Sequence, residues 1–117
     1  MNIESFRTYC LHKKGVTEEF PFNANTLVFK VMGKMFALTD LVDFDGINLK
    51  VDPETGAELR EQHDYIQPAY HMNKLHWITV LVNAGATDKL LKELIDQSYD
   101  LVAAGLTKSQ RLALKGL

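Results

Sequence analysis

Apolar residues recur every three or four positions at the two ends of this chain and every second position through its middle. Ile3, Phe6, Tyr9 and Cys10 follow helical spacing, with Glu4, Arg7, Lys13 and Lys14 between them. That spacing predicts a helix over residues 1–14 that ends at Gly15. Residues 16–22 read as an extended connector, because Pro21 biases Phe20 away from helix and Phe20 and Phe22 are placed to plug the edge of a core. Alternation then predicts strands over 26–31 and 34–39, joined by a Met32-Gly33 turn in which the glycine supplies a positive φ. A polar turn over 40–46 leads to a third strand over 46–51.

Asp52-Pro53-Glu54 combines a capping acceptor, a proline suited to the first helical position and an acid at the positive end of the helix dipole. It opens a mostly polar surface helix that runs to about residue 62. Residues 65–75 read as irregular or as a short strand, and 77–83 as a clear strand followed by an Asn83-Ala-Gly-Ala turn. Thr87 caps the longest helix, whose stripe of Leu91, Leu94, Ile95, Ser98 and Val102 stops at Gly105. Thr107 and Gln110 match a capping box that opens a last short helix to Lys115. The predicted order is helix, three strands, helix, strand, helix, helix. It implies an α+β fold over residues 1–117 as a single domain: an antiparallel sheet with helices packed on one face.

Strand parity divides the sheet. Leu27, Phe29, Ile47, Leu49, Ile78 and Val80 are expected to face the helices. Lys30, Asn48, Lys50, Trp77 and Thr79 then share the opposite face, with Lys34 at the hairpin tip and Lys74 in the segment leading to Trp77. A lysine-bearing face with an aromatic ring suits phosphates and stacked bases. The alternative is that antiparallel sheets often leave one polar face in water.

Composition constrains these readings. The 117 residues are 46% hydrophobic and 24% charged, with a formal net charge of −2, so any nucleic-acid contact would have to be a local patch. The single cysteine cannot pair within the chain, and the first four residues lack the basic and apolar regions of a secretory signal. No apolar run approaches the roughly 20 residues of a membrane span. A cytoplasmic monomer without a membrane partner is the expectation.

The densest chemistry lies in Pro68-Ala-Tyr-His-Met-Asn-Lys-Leu-His-Trp77, which holds two of the four histidines and the sole tryptophan. His71, Asn73, Lys74 and His76 could donate to a phosphate or carboxylate; equally, such groups could satisfy the backbone of an irregular loop. His71 and His76 are five apart, which on an extended strand puts them on opposite faces, and His12, His63 and Cys10 have no zinc-ligand spacing. No metal, cofactor or catalytic residue is assigned. Cys10 lies on an apolar stripe, no nucleophile elbow or phosphate-cradling glycine loop occurs, and the Glu18-Glu19 and Asp43/Asp45 pairs read as solvated turn acids.

Three stretches resemble the MmcQ/YjbR family: Gly15-Val-Thr-Glu-Glu-Phe-Pro-Phe22, Leu27-Val-Phe-Lys-Val-Met-Gly-Lys-Met-Phe-Ala37, and Pro68 to Trp77. Ile47-Asn-Leu-Lys50 followed by Asp52-Pro53 adds to the likeness. Where the family usually shows Pro-Gly-Tyr, this chain has Pro68-Ala69-Tyr70, which relaxes the expected turn. The helix after Gly105 lies outside the matching motifs. The resemblance implies a CyaY-like α/β sandwich, the fold of bacterial frataxin, and a DNA-binding role through a double-wing arrangement of strands and loops. It brings no established catalytic residues. Frataxin's iron-binding acidic ridge does not transfer, since the first helix here mixes Glu4 with Arg7, His12, Lys13 and Lys14.

The resulting expectation is a non-enzymatic DNA-binding protein that uses Lys30, Lys34, Lys50 and Lys74 for phosphates, with Asn48, His71, Asn73, His76 and Trp77 for polar or stacking contacts. The alternative is a module that binds a small molecule or a protein partner on the same face.

Overall fold

The computed structural model describes residues 1–69 and 72–117, so Tyr70 and His71 lie outside the described residues. Helix α1 spans Ile3–Leu11 and opens with a reciprocal capping box: Asn2 Oδ1 accepts from Ser5 N while Ser5 Oγ accepts from Asn2 N. It stops three residues short of the predicted end because the chain turns at His12 and takes φ +72° at Gly15.

Val16–Glu19 is strand β1, where an unpaired connector was expected. It pairs antiparallel with β2 (Thr26–Val31), with Val16 opposite Val31 and Glu19 opposite Val28. Four residues with two adjacent glutamates carry no readable alternation, so only the neighbouring strand makes this segment β. Phe20 and Phe22 do not plug the core; they are 47% and 62% exposed.

Strand β3 (Lys34–Asp40) returns from β2 through Met32 and Gly33. Both turn residues have positive φ, +49° and +84°, the requirement of a type I′ turn. A register shift beside Phe29 and Lys30 leaves Phe36 extra in β3. Phe36 and Ala37 therefore both reach the helix side, where Phe36 meets Tyr99 edge-on at 5.4 Å. The 40–46 segment, expected to be a polar turn, buries Phe44 against Phe6 at a centroid distance of 5.6 Å.

Strand β4 (Gly46–Lys50) leads to α2 (Pro53–Gln62), capped by Asp52 with proline at its start. Strand β5 (Ile66–Pro68) follows, then β6 (Trp77–Leu81), α3 (Asp88–Ala104) and α4 (Lys108–Lys115). Thr87 caps α3, and a Thr107–Gln110 capping box opens α4. Among the described residues the six strands form one antiparallel sheet in the order β1-β2-β3-β4-β6-β5.

The two sheet faces differ sharply. Leu27, Phe29, Ile47, Leu49, Ile78 and Val80 meet Phe6 of α1 and Leu91, Leu94 and Ile95 of α3 in the main core, as parity predicted. Gly56 brings α2 close to Val51 and Ile78 on the same side. The other face holds a small second cluster of Val28, Leu38, Ala69 and Trp77, flanked by Met35 and Met72. No helix among the described residues is long and apolar enough to cross a membrane.

Candidate functional site

Trp77 begins β6 opposite Lys50 and lies, as parity required, on the face away from the helices. It is nevertheless only 8% exposed. Ala69, which follows β5, and Met72 pack with the ring beside Val28 and Leu38. The indole is therefore a wall of a second core, not the open stacking platform the sequence suggested. An apolar Val28 at an outward position of a central strand is the signal that could have revealed this cluster.

Lys30 is not grouped with Lys34 and Lys50. Lys30 Nζ lies 3.3 Å from Glu19 Oε1 of the neighbouring edge strand, so its charge is countered within the sheet. Lys34 and Lys50 do share a hollow of about 340 Å³ with Trp77, but its other walls include Leu101, Val102 and Gly105 at the end of α3. Cations there complement the negative end of the helix dipole. Lys74 is exposed on the segment before β6.

The remaining expected residues are divided between internal bonding and solvent. Asn48 Oδ1 accepts a 2.5 Å bond from the Thr79 hydroxyl across the β4–β6 pair. Asn73 Oδ1 accepts from Leu75 N at 2.9 Å, the local backbone role foreseen for this segment. The His76 carbonyl accepts from Val51 N at 2.9 Å, tying the segment to the end of β4, while its side chain belongs to an exposed residue. His71 lies outside the described residues.

Beside Trp77 the open face sinks into a cavity of about 600 Å³. Met35, Leu38, Met72 and Trp77 supply its apolar walls, and Phe22 stands at it from the β1–β2 connector. Its polar margin is Asn23, Thr26, Thr39, Asp40, Asn48 and Asn73. Of these margin residues only Asn48 and Asn73 were candidates from the sequence. The others come from chain segments brought together by the β2–β3 pairing and by a bond from Leu41 N to the Asn25 carbonyl.

The largest ionisation shifts among the described residues lie elsewhere, on α1. Burial pushes the Cys10 thiol up to about 12, which leaves it protonated and inert at neutral pH. Burial, with a hydrogen bond to Asp96, raises the Tyr9 phenol to about 12 as well. An open groove of about 730 Å³ between α1 and α3 contains Lys13, whose Nζ meets Asp96 at 2.5 Å and stands 5.1 Å from the centroids of both Tyr9 and Tyr99. These contacts clamp α1 to α3.

The YjbR family model matches residues 11–101, a span that contains the whole cavity and excludes α4. Over 90 residues the chain is 41% identical to the uncharacterized protein YbdF of Escherichia coli O157:H7, covering 76% of this chain and 74% of YbdF. It is 30% identical over 115 residues to the uncharacterized protein YjbR of Escherichia coli K12, covering 97% of this chain and 98% of YjbR. The crystal structure of Deinococcus radiodurans protein DR2400, a DUF419 domain, superposes with a TM-score of 0.90 at 43% identity, covering 97% of this chain and 88% of that one. A Pseudomonas syringae protein superposes with a TM-score of 0.73 at 33% identity, covering 86% of this chain and 98% of its own.

Proposed function

As the chain belongs to the YjbR family, we propose that it is a non-enzymatic cytoplasmic binding module whose cleft beside Trp77 takes a small organic molecule. The observation that carries this reading is the cavity of about 600 Å³ on the open sheet face, lined by the apolar Trp77, Leu38, Met35 and Met72 together with a small set of polar groups. Small-molecule sites have this composition and volumes of roughly 300–1,000 Å³. The polar lining consists of amides, two hydroxyls and one carboxylate, groups that orient a ligand.

Trp77 is the sole tryptophan, so its fluorescence reports directly on the cleft. Titration with a panel of small aromatic and aliphatic compounds should give saturable changes. Thr26→Phe, which places a ring in the cavity from β2, should abolish them while the circular dichroism spectrum is preserved. Saturation that is indifferent to Thr26→Phe would place binding elsewhere and refute the reading.

A second reading, DNA binding along the same face, is supported by Lys34 and Lys50 sharing one hollow with Trp77. Under that reading labelled single- and double-stranded oligonucleotides bind at low ionic strength. The Lys34→Ala/Lys50→Ala double variant then weakens binding and flattens its salt dependence by about one unit of slope per lost phosphate contact. Identical salt slopes for wild type and double variant rule it out.

A further inference from the structure

The polar margin of the cleft has a direction. Asn23 Oδ1 accepts from the backbone N–H groups of Asn25 and Thr26 at 2.8 and 2.7 Å. Asn73 Oδ1 accepts from Leu75 N at 2.9 Å, and Asn48 Oδ1 accepts from the Thr79 hydroxyl at 2.5 Å. A backbone N–H can only donate, so at Asn23 and Asn73 the amide oxygen must be the inner atom. Asn23 and Asn73 have thus committed their acceptors to the fold, and each leaves its NH₂ donor without a partner among the described residues, whereas the Thr79 hydroxyl, which can donate or accept, does not fix the Asn48 amide. All three border the same cavity.

Asp40 supplies the opposite polarity. Its Oδ1 accepts from Val42 N and Asp43 N at 2.8 and 3.0 Å, leaving Oδ2 as an acceptor at the margin. No lysine or arginine is among the described residues lining the cavity, so an anionic ligand would meet Asp40 without a compensating cation.

We infer that the cleft takes an uncharged molecule with an apolar body and an amide group, its carbonyl oxygen accepting from the side-chain amides of Asn23 and Asn73 and its N–H donating to Asp40. Such a ligand leaves neither the donors nor the carboxylate unmatched, whereas a hydrocarbon of the same size fills the walls but strips water from all of them. The inference rests on the small-molecule reading of this cleft and names the chemistry it selects. A blocked peptide unit and an amide-bearing metabolite share that chemistry.

Replacing asparagine by aspartate keeps the inner acceptor oxygen and turns the outer donor into an acceptor. Heteronuclear NMR on ¹⁵N-labelled protein follows the asparagine side-chain amides and the Trp77 indole directly. N-acetyl-L-phenylalaninamide should shift these resonances and bind at least about tenfold more tightly than toluene, the equivalent of one well-formed hydrogen bond. Asn23→Asp/Asn73→Asp should abolish that margin and leave toluene binding within about twofold. If the double variant does not fold, Asn73→Asp alone, in an exposed segment, carries the same expectation. A blocked tripeptide with central phenylalanine binding more tightly still marks a peptide source, and no gain marks a small metabolite. Equal binding of toluene and the amide, unchanged in the variants, overturns the donor inference while the cleft remains a binding site. If no probe moves the cleft resonances, both fall.

Discussion

Ser98 sits in the apolar stripe of α3 and is completely buried, yet its hydroxyl is fully employed. Oγ donates to the Phe36 carbonyl at 2.6 Å and accepts from Lys50 N at 2.9 Å. These groups belong to β3 and β4 beside the bulge, beyond the last paired residues Ala37 and Leu49. The serine thus satisfies two backbone groups that the interrupted ladder leaves open. Ser98→Ala strands both in the core, and the expected loss is about 1–3 kcal/mol, read as a lower urea midpoint with an unchanged m-value. Stability equal to wild type would mean that the bulge finds other partners. The sequence showed Ser98 only as a member of a helical stripe. Its partners lie 62 and 48 residues away, out of reach of any local pattern.

Gly56 interrupts an otherwise ordinary helix, a position where glycine costs about 0.5–1 kcal/mol relative to alanine. Packing explains it: a Cβ there would lie 2.8 Å from Val51 Cγ2 and 3.7 Å from Ile78 Cγ2. The missing side chain lets α2 approach the ends of β4 and β6, so Gly56→Leu should destabilise by about 1–3 kcal/mol despite the better helix former. Thermal unfolding checks this, and a raised midpoint would refute it. Other features at this scale were fully legible. Asp52, Thr87 and Thr107 cap the helices that their neighbours in sequence announce, because a cap bonds within three residues. Strand β1 was not legible, since only pairing with β2 distinguishes it from a connector. The 65–75 segment was half legible: the short strand was foreseen as an option, the cover it lays on Trp77 was not.

Across the molecule, electrostatics fasten α1 to the edge strand. Arg7 of α1 donates to Glu18 of β1 through Nε at 2.9 Å and Nη2 at 2.5 Å. This hydrogen bond, aided by the guanidinium charge, holds the Glu18 carboxyl below its ordinary value of 4.5. A depressed folded value means that the stabilisation is present above the unfolded value and is lost as pH falls through the folded one. Glu18→Gln should therefore lower the melting temperature near neutrality and converge with wild type in strong acid. A constant difference down to the most acidic pH would show that the carboxylate charge is not the cause.

Periodicity, caps and turn glycines act between residues a few positions apart, so the helices, the hairpin and the helix-facing positions of β2, β4 and β6 were readable along the chain. The same alternation correctly put Lys30, Asn48, Lys50 and Trp77 on one face. Whether those side chains are available depends on what packs against them, and that was decided by sheet order and by the packing of Ala69 and Met72. Pairing of β1 with β2 neutralises Lys30 by Glu19, the β4–β6 pair engages Asn48 with Thr79, and Ala69 and Met72 bury Trp77. Burial and charge compensation are sums over neighbours in space, most of them distant in sequence. Strand parity could therefore choose the face, while only tertiary packing decided which of its side chains are buried, paired or left at the surface.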